Sequence, residues 1–308
     1  GSLKLLVENG YNVVAVVTQP DKPVGRHGSV LRASAVKEYA LEHGLPVLQP
    51  VKMKDPEFVE QLRSYNADLQ VVVAFRMLPE VVWDMPRFGT FNVHAALLPQ
   101  YRGAAPINWA VINGETKTGV TTFFLDHDID TGRIIMQREF PIPDDADVEY
   151  VYDGLMELGA GICQDTVDLV ISTDGNVPSQ PQREDIELKA APKIFKETCQ
   201  IDWNKTAKQI YDFVRGLSPY PGTWTTLASY SDTEKNESSV MKIFKTTKTG
   251  TSCAGVAPGT LKTESNHLLV ATSDEWLDIV ELQAAGKKRM AARDFLNGFK
   301  HIAEMHMK

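Results

Sequence analysis

Cysteine is scarce in this sequence. Cys163, Cys199 and Cys253 stand far apart and are odd in number. They supply neither a disulfide framework nor a zinc spacing, so a reducing cytoplasmic setting is expected. No apolar run approaches the roughly 20 residues that a membrane helix needs. No charged-then-apolar secretory leader opens the chain, and no membrane partner is expected. A glycine-rich phosphate loop is missing, which leaves ATP or NAD use without support. There are no internal repeats and no low-complexity tracts. A net charge of −8 argues weakly against a nucleic-acid partner, yet phosphate contacts need only a local basic face. At 308 residues the chain is long enough to favour two domains over one.

What is present is an alternation of apolar runs and amphipathic stretches. Residues 12–17, 45–48, 69–75 and 90–94 read as strands, several apolar throughout. Residues 33–43, 55–65, 79–84 and 104–113 read as helices, the second begun by Asp55-Pro56 as N-cap and first helical residue. Such an order implies an α/β domain with a mostly parallel sheet covered on both faces. Its ligand crevice lies beyond the carboxyl ends of the strands. Residues 120–125 and 133–140 read as a strand pair, and 147–171 as a long amphipathic helix. The chain opens inside a helical pattern (Leu3, Leu6, Val7, then Gly10). An α/β domain normally places a strand before such a helix, so a first strand is expected to be missing.

Residues 18–32 form a polar stretch with Lys22, Arg26, His27 and Arg32, expected to be a functional loop rather than a plain connector. Residues 172–197 change character, being polar and proline-bearing, and are expected to be a linker. A helix over 206–217 follows. Short strand-like runs at 224–228, 240–245, 259–261, 267–271 and 276–282 then suggest a small β-barrel closed by a helix at 294–299. The expected division is a catalytic domain over 1–175, a linker over 176–199 and a second domain over 200–308.

Three polar residues of different chemistry gather around the strand ends. Asn92 and His94 are two apart and share one face of a strand. Asp130 follows a strand-like run and is pinned by the turn Asp130-Thr131-Gly132. An amide and an imidazole can donate to a carbonyl oxygen as it becomes an oxyanion. A carboxylate can orient the imidazole and take a proton from an attacking amine. Alone, His94 could be a packed core histidine and Asp130 a turn cap. Asp126, His127 and Asp128 are too tightly spaced to converge on a metal, because neighbouring side chains point oppositely, and no metal is expected. Trp203, Trp224 and Trp276 read as core rather than as platforms for stacked bases.

The motifs resemble those of the methionyl-tRNA formyltransferase family over nearly the whole chain. Asn92-Val93-His94, Leu97-Leu98-Pro99 and Arg102-Gly103-Ala104-Ala105-Pro106-Ile107 look like the family's active-site loop. Asp130-Thr131-Gly132 looks like its catalytic turn, and Thr18-Gln19-Pro20-Asp21 with Gly25-Arg26 like its tRNA-contacting loop. Ile201-Asp202-Trp203 and the run 282–288 look like landmarks of its C-terminal domain, which simpler relatives lack.

The resemblance implies a Rossmann-like formyltransferase domain and a C-terminal OB-like β-barrel. It implies 10-formyl-tetrahydrofolate as donor, the amino group of initiator methionyl-tRNA as acceptor, and a monomer in the cytoplasm. Asn92, His94 and Asp130 would be catalytic. Phe75, Ala96, Leu97, Leu98, Pro99 and Asp126 would line the donor site. Arg26, Lys287 and Lys288 would contact tRNA. Three departures stand out. The first strand with its Gly-Thr-Pro loop is absent, Ala96 replaces a serine, and Phe75-Arg76 replaces a Tyr-Gly pair. The lost hydroxyl leaves the backbone groups of Leu97 and Leu98 to hold the pterin. Three alternatives remain open: a formyl-tetrahydrofolate hydrolase, an amino-sugar formyltransferase, and a non-catalytic RNA- or folate-binding module.

Overall fold

A computed structural model describes residues 1–231 and 238–308. In chain order the elements are α1 (Ser2–Glu8), β1 (Val16–Val17), β2 (Lys22–Val24), β3 (Val30–Arg32), α2 (Ala35–Glu42), β4 (Val47–Leu48), α3 (Pro56–Ser64), β5 (Gln70–Val73), α4 (Glu80–Trp83), β6 (Thr90–His94), β7 (Arg102–Gly103), α5 (Pro106–Ile112), β8 (Lys117–Phe124), β9 (Ile134–Pro141) and α6 (Val148–Ser172). There follow β10 (Ala190–Ala191), α7 (Ala207–Gly216), β11 (Thr223–Ser229), β12 (Ser239–Ser252), β13 (Leu261–Glu264), β14 (His267–Ala271), β15 (Glu275–Gln283), β16 (Met290–Ala291), α8 (Ala292–Gly298) and β17 (Met305–Met307). None of the described helices is long and apolar enough to cross a membrane.

Packing divides the chain into two compact units. One comprises Gly1–Arg102, Gly119–Phe140 and Gly154–Leu188; the other comprises Gly103–Thr118, Pro141–Asp153 and Lys189–Lys308. Two stretches expected in the first domain, 103–118 and 141–153, therefore pack with the later residues. The first half of the expected linker packs with the earlier ones.

In the first unit β1 lies parallel to β4, and β5 parallel to β6. The β1–β4 pair is a sheet of its own, and β5 and β6 belong to a four-stranded sheet in the order β5-β6-β8-β9, with β6 antiparallel to β8. The expected parallel character thus holds up to β6 and reverses at β8. Of residues 12–17, only Val16 and Val17 pair as strand among the described residues. Strand β6 has neighbours on both sides, which is why Phe91 can be fully buried against Leu6, Cys163 and Val167. Helix α3 starts as expected: the Asp55 carboxylate accepts from the Glu57 N–H at 3.1 Å and Pro56 takes the first turn. It packs Phe58, Val59 and Leu62 on Leu48 and Val82.

The polar stretch 18–32 is a hairpin rather than a loop. Lys22 pairs with Arg32 and Val24 with Val30, and Arg26–Gly28 forms the tip. The tip can turn because Gly25 and Gly28 accept positive φ, 84° and 67°. Its base is anchored by Asp21, which accepts from Gln49 at 2.9 Å and from Lys37 at 3.0 and 3.1 Å. The hydrogen bonds from Gln49 and then Lys37 hold the Asp21 carboxyl below its ordinary range. This anchoring is present above the ordinary carboxylate value and is lost as pH falls through the depressed one.

The second unit is built on a seven-stranded antiparallel sheet in the order β13-β14-β15-β12-β11-β17, with β16 beside β15. A bridge between Thr260 and His306 brings its two ends together, so the barrel is nearly closed. Ile210, Val214, Met241, Ile243, Leu268, Leu277, Ile279 and Leu282 fill it. Trp203 is buried and donates to the Thr225 hydroxyl at 2.9 Å. Trp276 is buried as well, and Trp224 is half-buried with its N–H on the Lys196 carbonyl. Helix α7 begins with a capping box between Thr206 and Gln209.

Two outcomes follow from these anchors. Thr206→Ala should lower the stability of the second unit by about 1 kcal/mol in urea denaturation; an unchanged midpoint would refute the cap's contribution. Asp21→Ala should speed limited proteolysis within residues 22–32 at neutral pH, and the wild type should match it only in acid. Equal cleavage rates at neutral pH would show that Asp21 does not anchor the hairpin.

Candidate active site

The site forms at the carboxyl ends of β5 and β6. Pairing sets Val73 against Val93, Asn92 against Phe123 and His94 against Thr121. The loop that leaves β5 with Phe75 therefore starts at the same sheet edge as His94. Asn92 is half-buried, and its side-chain oxygen is buried with no hydrogen-bond partner among the described residues. A buried amide oxygen left in this state calls for a donor, such as an N–H of a ligand.

His94 is 7% exposed. Its Nε2 lies 2.9 Å from the carbonyl oxygen of Tyr101. A carbonyl can only accept, so Nε2 carries the proton of the neutral ring. Its Nδ1 is left facing Asp130 Oδ2 at 3.9 Å. That gap is too long for a direct hydrogen bond. The imidazole and the Phe123 ring are nearly perpendicular, with centroids 6.3 Å apart. Tyr101 and Asp130, the two residues facing His94's nitrogens, both sit at positive φ, 60° and 57°. Left-handed backbone at a non-glycine residue persists where the surroundings hold it.

The Asp130 turn is organised by its own neighbours. Asp126 Oδ1 accepts from the Asp128 N–H at 3.1 Å and from the Thr131 hydroxyl at 2.9 Å. Asp126, expected to line the donor site, is thus first a loop organiser and is itself exposed. Gly132 is required where it stands, because a Cβ there would run into the Phe124 carbonyl oxygen. The side chains of Asp126, His127 and Asp128 do not converge: His127 Nδ1 faces Glu80 at 3.8 Å and its ring meets Trp83 edge-on. No group of three metal-type ligands forms among the described residues.

The loop after β6 is fastened by two residues that the sequence reading missed. Thr121, fully buried, donates to the Ala96 carbonyl at 2.6 Å and accepts from the Leu98 N–H at 3.2 Å. Gln137 donates to the Leu98 carbonyl at 2.8 Å and to the Thr121 hydroxyl at 3.0 Å. The N–H and C=O of Leu98 thus each have one partner within the protein, and the carbonyl keeps a second lone pair for a further donor. Ala96 and Leu98 are buried, at 0% and 3% exposed, and support the loop from beneath. Leu97 and Pro99 remain half-buried and can meet a ligand. Threonines on a strand interior read as ordinary β-formers, which is why Thr121 gave no signal.

Phe75 is half-buried against the Leu48–Val82 cluster. Arg76 packs its guanidinium 5.3 Å from the Phe75 ring and donates to the carbonyls of Pro50 and Val51 at 2.7 and 2.8 Å. The arginine that replaces a family glycine thus ties this loop to residues 50–51. Of the expected tRNA contacts, Arg26 stands at the tip of the β2–β3 hairpin in the first unit. Lys287 and Lys288 are exposed in the turn between β15 and β16 of the second. The next cation, Arg289, is instead paired with Glu281 and lies over the Phe244 ring at 4.3 Å.

An amide, an imidazole and a carboxylate at the rim of a Rossmann-like sheet are groups that an acyl transferase can use. The family description "Formyl transferase" matches residues 3–167, and "Formyl transferase, C-terminal domain" matches residues 193–300. Methionyl-tRNA formyltransferase of Parabacteroides distasonis is 60% identical over 308 residues, covering 98% of this chain and 93% of that protein. Its counterpart in Bacteroides fragilis is 55% identical over 307 residues, covering 98% and 92%. The chain belongs to the methionyl-tRNA formyltransferase family. Among solved structures, a sugar 3N-formyl transferase, WlaRD, with dTDP and 5-N-formyl-THF, shares the fold at TM-score 0.64 and 19% identity, covering 93% of this chain and 94% of that one. An N-formyltransferase from Helicobacter canadensis with folinic acid and dTDP-3-aminofucose does so at 0.62 and 19%, covering 94% of each.

Thr121→Val keeps the shape but leaves the Ala96 carbonyl and Leu98 N–H with less than they have. It should cost about 1–3 kcal/mol in chemical denaturation and lower turnover. A variant as stable and active as wild type would show that the hydroxyl does not hold the loop.

Proposed function

We propose that this chain transfers the formyl group of 10-formyl-tetrahydrofolate to the amino group of methionyl initiator tRNA, in the cytoplasm and as a monomer. The observation that carries the reading is the facing of His94 Nδ1 and Asp130 across 3.9 Å, beside an Asn92 amide with an unpartnered buried oxygen. The 60% identity to a methionyl-tRNA formyltransferase supports the choice of acceptor.

In this mechanism the amine lone pair attacks the formyl carbon, and the carbonyl oxygen takes up the displaced electron pair. The Asn92 amide N–H donates to that oxyanion. Because Nε2–H is held by Tyr101, His94 can donate only through a proton on Nδ1. A ring carrying that second proton is positively charged, and the Asp130 carboxylate would balance the charge. Asp130 accepts a proton from the nitrogen that has become an ammonium. The bond from carbon to N10 of the folate then breaks, its electron pair stays on N10, and the proton held by Asp130 passes there. None of these steps requires a metal. The donor rests on Phe75, Leu97 and Pro99, with Ala96 and Leu98 supporting the loop and Asp126 shaping the Asp130 turn. Arg26, Lys287 and Lys288 contact tRNA phosphates, so their loss weakens binding and its salt dependence together.

His94→Ala should lower kcat for formylation of methionyl initiator tRNA by about 10²–10³-fold. Near-wild-type turnover would overturn the mechanism. The wild type should consume formyl-folate only when charged initiator tRNA is supplied. Equal consumption without it would mark a hydrolase.

A further inference from the structure

The segment after α6, expected to be a linker, is bonded into the first unit over its earlier half. Arg133 donates to the Ser179 hydroxyl and carbonyl at 2.9 and 2.8 Å. Gln180 and Ile134 exchange backbone hydrogen bonds at 2.9 and 2.7 Å. Gln100 donates to the Glu187 carbonyl at 2.9 Å. Between these fastenings stands Gln182, half-buried.

We propose that Gln182, oriented by Arg102, is a positioning residue that sets the spacing of His94 and Asp130. Its Nε2 donates to the carbonyls of both Asp130 and Gly132, at 2.7 and 2.9 Å. The two N–H bonds of one amide thus span the turn in which Asp130 sits at positive φ. The Oε1 accepts from Arg102 Nε and Nη2 at 3.1 and 2.8 Å. An arginine only donates and a carbonyl only accepts, so the amide has one workable orientation. Arg102 follows Tyr101, whose carbonyl fixes the His94 ring and whose own φ is 60°. One side chain therefore links the backbone behind the imidazole to the backbone beneath the carboxylate. These bonds run to backbone carbonyls and to Arg102, so the residue acts on the supports of the pair. At 3.9 Å the two side chains stand too far apart for a direct hydrogen bond to set their spacing. The backbone held at Asp130, Gly132 and Tyr101 contributes to that spacing, and small displacements of reacting groups cost about 10²-fold in rate.

The inference rests on the roles proposed for His94 and Asp130, and its test separates the two. In the full chain, Gln182→Leu should lower kcat by about 10²-fold, with the KM values for formyl-folate and methionyl-tRNA within about twofold of wild type. Gln182→Glu keeps an acceptor for Arg102 but has no N–H to give, and should fall as far. Both variants should also shift the ¹⁵N resonances of the His94 imidazole without substrate, at a thermal midpoint close to wild type. Wild-type kcat and unmoved His94 resonances in Gln182→Glu would overturn the proposal. So would a loss of rate in both variants that only follows a collapsed thermal transition. If the wild type does not formylate methionyl-tRNA, the proposed function falls, while the His94 resonances still decide whether Gln182 positions the imidazole.

Discussion

The site depends on β6 having a hydrogen-bonded neighbour on each side. That pairing fixes the register, and the two-residue period of a strand then sends Asn92 and His94 to one face while Phe91 goes fully into the core. A slip of one residue would reverse all of them. The same register puts Thr121 opposite His94, where its hydroxyl reaches the carbonyl of Ala96 and the N–H of Leu98. The loop that returns to His94 with the Tyr101 carbonyl is held by the strand beside it. The antiparallel turn of the sheet at β8 is thus part of the site and not only of the fold.

The charge of the chain is distributed with a similar economy. The whole is acidic, yet several cations are paired with carboxylates: Lys37 with Asp21, Arg138 with Asp165, Lys248 with Asp144, Arg289 with Glu281. Arg26, Lys287 and Lys288 make no ion pair with the described residues. Cations left to solvent on exposed turns can neutralise phosphates and release counterions, whatever the net charge. Global charge gave a misleading hint because association with a polyanion is decided locally.

Local signals in the sequence were mostly sound because they have local causes. The Asp55-Pro56 start of α3, the β6 span over 90–94 and the β14 span over 267–271 emerged as read. The tryptophans expected to be core are buried at Trp203 and Trp276. Elements failed to match where their state depends on a distant partner. Residues 13–15 are apolar but find no strand beside them among the described residues, so the strand shrinks to Val16–Val17. Residues 18–32 look like a loop by composition, yet Asp21, Lys37 and Gln49 together brace a hairpin.

By itself the sequence determined the chemistry available: an amide and an imidazole two residues apart, a carboxylate in a glycine-ended turn, and two families of secondary structure. Residue type and short spacing carry that information directly. The tertiary structure alone decided which nitrogen of His94 is committed, to Tyr101, and how far Asp130 stands from the other. It alone bonded Thr121, Gln137 and Gln182 to the backbone around the candidate site. Their side chains act on backbone groups as many as 52 positions away, and a hydrogen bond of that reach leaves no periodicity in the chain. The fold supplies it only once the sheet has brought the partners within 3 Å.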